Sequence, residues 1–265
     1  MSLREKLRAE LAARPAAWRF YRGLRRRLFG EGCRPGPVQV LLRTYARECR
    51  DVRFVQVGSC DAAFGDPMID YVLSWGWRGV MVEPVPHVFR KLRARHGRNP
   101  RLTLENVAIG RSEGPRPFYC LEPLAQPPSP FWDQMGSFSR EHLEKHERYL
   151  PGLSRHIRQI EVPCVTLTAL LKKHGIAALN ILQIDAEGHD YEVLRSLDFA
   201  YCTPAILLFE LGHLPRAERE SCMEFLEQRG YRAVHEARDC FALHESAWPR
   251  WPQTALTFDA LAPER

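Results

Sequence analysis

Phe54-Val55-Gln56-Val57-Gly58-Ser59-Cys60-Asp61 is a short, mostly apolar run that stops in a glycine turn. It reads as a buried strand delivered into a loop, with Gly58 suited to close backbone approach to a ligand. In a doubly wound sheet such a turn lies at the carboxyl ends of the strands, beside the point where strand order reverses and ligands bind. Working outward, further strands are expected at 79–83, 102–106, 179–184, 205–209 and 231–235. Helices are expected between them at 67–75, 86–96, 189–196 and 216–229, with Gly230 closing the last. This βαβ rhythm predicts an α/β, Rossmann-like fold with a mostly parallel central sheet and helices on both faces.

The rhythm is interrupted before the fourth core strand by an insertion at about 111–178, which holds a proline-rich loop (123–130) and a polar helix at 140–149. Insertions of this kind commonly carry substrate specificity. At the other end, residues 3–13 and 16–29 read as helices, and the Gly30 to Pro37 stretch, with three glycines and two prolines, reads as a linker. The expected organisation is therefore a basic helical extension over 1–36, followed by one domain over 37–265.

With 265 residues, 45% of them hydrophobic, the chain is long enough for one sizeable core. Its formal charge of +6 is unevenly placed: residues 1–50 hold 13 Lys and Arg against 4 Asp and Glu, so the rest of the chain is slightly acidic. That excludes a nucleic-acid groove across the main domain and assigns the basicity to the N-terminal helices. In the second of these, Ala17, Phe20, Tyr21, Leu24 and Leu28 recur at helical spacing while Arg19, Arg22 and Arg26 fall elsewhere. The first reading is a helix packed on the core with solvated arginines; the second is peripheral contact with a membrane surface. Cys33, Cys49, Cys60, Cys120, Cys164, Cys202, Cys222 and Cys240 form no C-x-x-C pair and suggest neither a zinc ribbon nor a disulfide framework. No apolar run approaches the length of a membrane span and no secretory h-region is present, so a cytoplasmic location is expected, with membrane association only through the basic helix.

The strand expected at 79–83 ends in Glu83, followed by Pro84. A carboxylate about 20 residues beyond a glycine turn is where a nucleoside's ribose hydroxyls are accepted. A dinucleotide is disfavoured, because Gly58 is followed by Ser59, Cys60, Asp61, Ala62, Ala63 and Phe64 before Gly65 and the G-x-G-x-x-G cradle for pyrophosphate is missing. An acidic Asp61 would repel pyrophosphate yet suit the ammonium and sulfonium of S-adenosylmethionine.

Four segments then carry a resemblance: Val55 to Asp61; Gly76-Trp77-Arg78-Gly79-Val80 leading to Val82-Glu83-Pro84; Asn106-Val107-Ala108-Ile109-Gly110; and Ile184-Asp185-Ala186-Glu187-Gly188-His189-Asp190. Over about residues 52–213 the sequence resembles the FkbM family of methyltransferases. The resemblance implies a class I methyltransferase fold with S-adenosylmethionine as cofactor. Matched to the family's motifs, Gly58, Ser59, Cys60 and Asp61 would hold the methionine end and Glu83 with Pro84 the ribose. Asn106, Val107 and Ala108 would line the adenine, and Asp185 would lie near the reactive methyl. The family's usual Asn and Gly stand here as Cys60 and Ala62, side chains that would crowd the methionine end. Gln134-Met135-Gly136-Ser137-Phe138, running on through His142 to His146, is similar to one branch of the family. The resemblance further implies O-methylation of a hydroxyl on a sugar, glycan, glycolipid or secondary metabolite.

Methyl transfer is an in-line displacement at a carbon already activated by its sulfonium, so alignment and a base are what the protein must supply. Asp185 and His189 are the expected catalytic pair, and Ser137, His142, His146, Glu210 and His213 the expected acceptor-side residues. Asp185 could instead shape the turn, and the i, i+4 pair His142 and His146 reads first as a solvated helix face. Asp185 and Glu210, at the ends of adjacent strands, offer hard oxygen ligands to a divalent ion such as Mg2+. Trp132, Trp248 and Trp251 are compatible with sugar stacking and equally with core packing. Two other readings stay open: a non-catalytic nucleoside-binding protein on a degenerate fold, and a nicotinamide-dependent oxidoreductase.

Overall fold

The computed structural model describes residues 37–62, 66, 68–129, 132, 135–236 and 239–261. The expected N-terminal helices and most of the linker lie outside them. The chain runs α1 (Pro37–Glu48), β1 (Arg53–Val57), α2 (Ile69–Trp75), β2 (Arg78–Val82), α3 (Pro86–His96), β3 (Leu102–Glu105), β4 (Ala108–Ile109), β5 (Gly114–Leu121) and β6 (Gly136–Ser137). It continues through α4 (Arg140–Glu144), 3-10 turns at Lys145–Arg148 and Leu153–His156, β7 (Ile157–Val165), α5 (Leu167–Lys173), β8 (Ile181–Ile184) and α6 (Asp190–Arg195). Last come β9 (Ile206–Glu210), α7 (Arg216–Glu227), β10 (Tyr231–Glu236), β11 (Asp239–His244), α8 (Ala247–Arg250) and α9 (Pro252–Leu261).

Seven strands form the central sheet in the order β10-β11-β9-β8-β1-β2-β3. β1 pairs in parallel with both β2 and β8, and β11 alone runs antiparallel to its neighbours β9 and β10. The order reverses between β1 and β8, which puts the loops after those two strands at the ligand-binding crevice of an open α/β sheet.

Side-chain alternation along each strand builds a core on each face of the sheet. Phe54, Met81, Ile181, Leu208 and Phe241 pack with Leu41, Leu42 and Tyr45 of α1, Leu92 of α3 and Phe258 of α9. Their strand neighbours Val55, Val80, Leu182, Leu207 and Ala242 pack on the other face with Leu170 of α5, Val193 of α6 and Leu226 of α7. Fully burying each large aliphatic side chain contributes roughly 1.5 to 3 kcal/mol, so continuous two-sided burial is what makes β1, β8 and β9 a stiff platform. Gln56 is the polar exception on β1: its Nε2 donates to Asp66 Oδ2 at 2.6 Å, while Asp66 Oδ1 accepts the backbone N–H groups of Met68 and Ile69 at the start of α2. A single carboxylate thus ties the central strand to the next helix.

The insertion is more structured than a loop and a helix. β5 and β7 pair antiparallel from Gly114↔Cys164 to Leu121↔Ile157 in a second, four-stranded sheet of order β4-β7-β5-β6. The polar helix expected at 140–149 is α4 followed by a 3-10 turn. Ser139 caps it, its Oγ accepting the His142 N–H at 3.2 Å. The tryptophans settle as packing groups. Trp132 is buried beside Leu121 and Leu143 and donates Nε1–H to the Glu122 carbonyl, and Trp251 is buried against Tyr45, so neither offers a sugar-stacking face. Trp248 packs against the same core as Trp251. No helix of the described residues is long and apolar enough to cross a membrane.

Candidate functional site

The loop after β1 is shaped by the strands on either side. The Gly58 and Ser59 N–H groups both donate to the Val82 carbonyl at 3.0 and 2.9 Å, and the Asp185 N–H donates to the Val57 carbonyl at 3.0 Å. Gly58 has φ +77°, and a Cβ there would fall 1.8 Å from the Asp185 carbonyl oxygen. Glycine is therefore demanded by the contact between two strand-end turns as well as by the backbone angle. Cys60 and Ala62 follow with φ +48° and +46°. These are left-handed positions that Asn and Gly adopt readily and other residues adopt at a cost of roughly 1 to 2 kcal/mol each.

Glu83 is buried one residue past β2. Its Oε2 accepts the Cys60 N–H at 3.0 Å and its Oε1 the Val85 N–H at 2.8 Å, which leaves further lone pairs on both oxygens. Burial pushes its pKa up to about 7 in spite of those two hydrogen bonds. Asn106 Nδ2 donates to the carbonyls of Glu83 and Pro84 at 2.8 and 3.0 Å and so fixes the end of β2.

These turns enclose a pocket of about 540 Å3 including its open mouth. Gly58, Cys60, Glu83, Pro84, Val107, Ala108 and Asp185 line it, together with Glu187 and an apolar wall that includes Phe118 and Phe138 from the insertion. Among the described residues the lining carries three carboxylates and no Lys or Arg. Three expected contacts lie outside it. Ser59 Oγ donates to the Gln56 carbonyl, Asp61 faces Arg95 with 3.4 Å between Oδ2 and the guanidinium, and the Asn106 amide is spent on the backbone clamp.

Asp185 lines the pocket and is exposed at its mouth; desolvation by the crevice around it and then the charges of Glu187, Asp190 and Glu210 hold its carboxyl above the usual carboxylate range. His189 does not line it. Its ring leans on Phe138 with centroids 4.5 Å apart, and burial lowers its pKa. The expected catalytic pair is thus divided, with only Asp185 at the cavity.

The acceptor-side candidates meet at Glu187, to which the sequence motif after β8 had assigned no role of its own. Glu187, at φ +45°, directs Oε2 toward His142 Nε2 at 3.2 Å, His146 Nε2 at 3.6 Å and His213 Nε2 at 3.9 Å. His213 Nε2 also lies 2.6 Å from Glu210 Oε2. Ser137 is buried and donates its hydroxyl to the Glu187 carbonyl at 2.9 Å, so it supports the turn from below. His142 is buried, in contrast to the solvated face expected of it. Burial alone would raise the Glu187 pKa, but the hydrogen bond with His142 and the nearby imidazoles of His146 and His213 outweigh it and bring the group down to about 2. Glu210, expected to join Asp185 on a hard cation, is engaged by His213. The only signals for this cluster in the sequence were the i, i+4 histidines and the Glu210-x-x-His213 spacing.

The sequence profile described as the methyltransferase FkbM domain matches residues 56–233. Among curated proteins none matches this chain. Solved structures with a similar fold include methyltransferase FkbM from Methylobacillus flagellatus KT, 13% identical with a TM-score of 0.45, where the match covers 74% of this chain and 44% of that one. The O-methyltransferase from Bacillus cereus in complex with SAH is 10% identical with a TM-score of 0.41, covering 87% of this chain and 90% of that one. The human methyltransferase 10 domain containing protein is 12% identical with a TM-score of 0.42, covering 92% and 99%.

Proposed function

The chain belongs to the FkbM methyltransferase family, and on that premise we propose that it moves a methyl group from S-adenosylmethionine to a hydroxyl oxygen of a sugar, glycan, glycolipid or secondary metabolite. The observation that carries this reading is the pocket at the switch point, lined among the described residues by three carboxylates and no basic side chain. Such a lining repels phosphates and suits a cationic, unphosphorylated nucleoside, which sets it apart from a pyrophosphate-bearing dinucleotide.

The residues present fit that donor. Glu83 keeps acceptor capacity for two ribose hydroxyls after taking its two backbone N–H groups, and Val107 and Ala108 offer an apolar surface for a flat base. Gly58 and Cys60 border the space for the methionine end. Asn106 acts as a positioning residue through the backbone of Glu83 and Pro84. When bound, S-adenosylmethionine supplies an electrophilic methyl carbon that needs only an aligned nucleophile.

Asp185 is the group of this chain placed to take the acceptor's proton, since it reaches the pocket and His189 does not. Phe118 and Phe138 close the apolar side and help exclude water. The acceptor is a small molecule or glycan with a free hydroxyl, and the acidic pocket argues against nucleic acid. The test is to incubate the purified chain with methyl-labelled S-adenosylmethionine and panels of sugars, glycolipids and hydroxylated metabolites, then examine the labelled product. Label in a base-stable methyl ether, lost in Asp185→Ala while donor affinity holds, is expected. Label confined to esters, amines or carbon would overturn the assignment of a hydroxyl acceptor.

A further inference from the structure

His142 and His146 sit one turn apart on α4 and the 3-10 turn after it, and His213 comes from the loop after β9. Two segments distant in sequence thus aim three imidazole Nε2 atoms at one carboxylate oxygen, Glu187 Oε2, across 3.2, 3.6 and 3.9 Å. Hydrogen bonding accounts for the first of these distances and fits the longer two poorly. The two shorter distances fit another geometry. With metal–ligand bonds of about 2.0 to 2.1 Å, neighbouring ligand atoms of a tetrahedral site stand about 3.3 Å apart. Among the described residues, the ligand atoms of His142, His146 and Glu187 all lie within 4.8 Å of one another.

The cluster is also braced. Glu187 is held in a left-handed conformation with its carbonyl tied to Ser137 Oγ. The next residue, Gly188, has φ +89°, and a Cβ there would lie 2.7 Å from His142 Nδ1, so only glycine leaves room for that ring. A solvated helix face would require neither constraint.

We propose that His142, His146 and Glu187 form a binding site for a divalent transition-metal ion of the zinc class. The donor set of imidazoles and one carboxylate suits Zn2+, Co2+ or Fe2+ and is poor for Mg2+, which prefers oxygen. This moves the expected metal from Asp185 and Glu210 to the neighbouring turn. Glu187 also lines the donor pocket, so an ion there stands where an acceptor hydroxyl would enter. A bound ion would lower that hydroxyl's pKa and orient it. This last role rests on the methyltransferase reading, whereas metal binding does not.

The experiment uses the full chain, stripped with a chelator and dialysed, then titrated with Zn2+ alone by calorimetry and with Co2+ by visible absorption. S-adenosylhomocysteine is titrated separately into the same preparations. One Zn2+ per chain is expected, together with the strong visible bands of low-coordinate Co2+. His146→Ala, at a half-buried position, and Glu187→Gln are each expected to weaken Zn2+ binding at least tenfold, whereas His244→Ala, at the far end of β11 from the Asp239–Glu210 pair, leaves it unchanged. Circular dichroism checks that each variant is folded. Absence of stoichiometric Zn2+ and Co2+ binding overturns the proposal, as does equal binding by folded His146→Ala and Glu187→Gln. The S-adenosylhomocysteine titration reports independently on the donor site, so the two readings fail separately.

Discussion

Glu83 and Glu187 line the same pocket and are tuned in opposite directions. Glu83 is buried among backbone amides, and burial raises it to about 7. Glu187 is surrounded by three imidazoles, which outweigh its burial and take it down to about 2. One carboxylate keeps spare lone pairs for neutral hydroxyls; the other is built to meet positive charge. On the proposed reading, the contrast divides the pocket into a nucleoside side, made by the parallel strands, and an acceptor side, made where the insertion meets the turn after β8.

The contrast breaks most sharply at Glu83. Glu83→Ala is expected to weaken donor binding by a hundredfold or more, which corresponds to about 3 kcal/mol. It also leaves the Cys60 and Val85 amides unpaired, so calorimetry is paired with circular dichroism, and Glu83→Gln, which keeps one of those bonds, should still bind poorly. Wild-type affinity in either folded variant removes the ribose assignment.

Next in size is a pH effect carried by Glu83. Its ionised form accepts the ribose hydroxyls, so donor affinity falls as pH drops through about 7, by close to tenfold between pH 8 and pH 6, and this dependence is absent in Glu83→Gln. The sign for folding is opposite. The folded pKa lies above that of the unfolded carboxyl, so the folded state binds more protons between about 4.5 and 7 and stability declines as pH rises through that window, by roughly 3 kcal/mol at most. Thermal unfolding of the donor-free chain from pH 5 to pH 8 reads this directly. A flat profile would show that Glu83 is better compensated than its burial implies.

The smallest effect lies in the loop between them. Cys60→Asn with Ala62→Gly places left-handed-tolerant residues at φ +48° and +46° and is expected to stabilise the fold by about 1 kcal/mol, or roughly 2 to 4 °C in Tm. Tighter donor binding in the same variant would show that Cys60 crowds the pocket; unchanged affinity would confine its cost to the backbone.

Much of this was legible in the sequence where the signal is local. α3 falls on the expected residues, and the core strands lie within two residues of expectation, because apolar runs bounded by glycine and proline report directly on buried parallel strands. β5 was hidden by Pro115 and Pro117, which argue against a strand. The structure places them where β5 pairs only with β7, since β6 reaches only Tyr119 and Cys120, and the missing N–H groups then cost little. β11 was hidden because its short apolar core runs into the tryptophan-rich tail. At the site, Glu83 announced itself by its distance from Gly58. The role of Glu187 did not, because the residues that define it come from two segments distant in sequence and only the packing of the insertion joins them.

The central claim is that the carboxyl edge of this sheet binds S-adenosylmethionine. Calorimetric titration of the full chain with S-adenosylhomocysteine and, separately, with NAD tests it most directly. The account predicts saturable binding of one S-adenosylhomocysteine per chain and no response to NAD; a folded chain that gives no heat with S-adenosylhomocysteine or S-adenosylmethionine would contradict it.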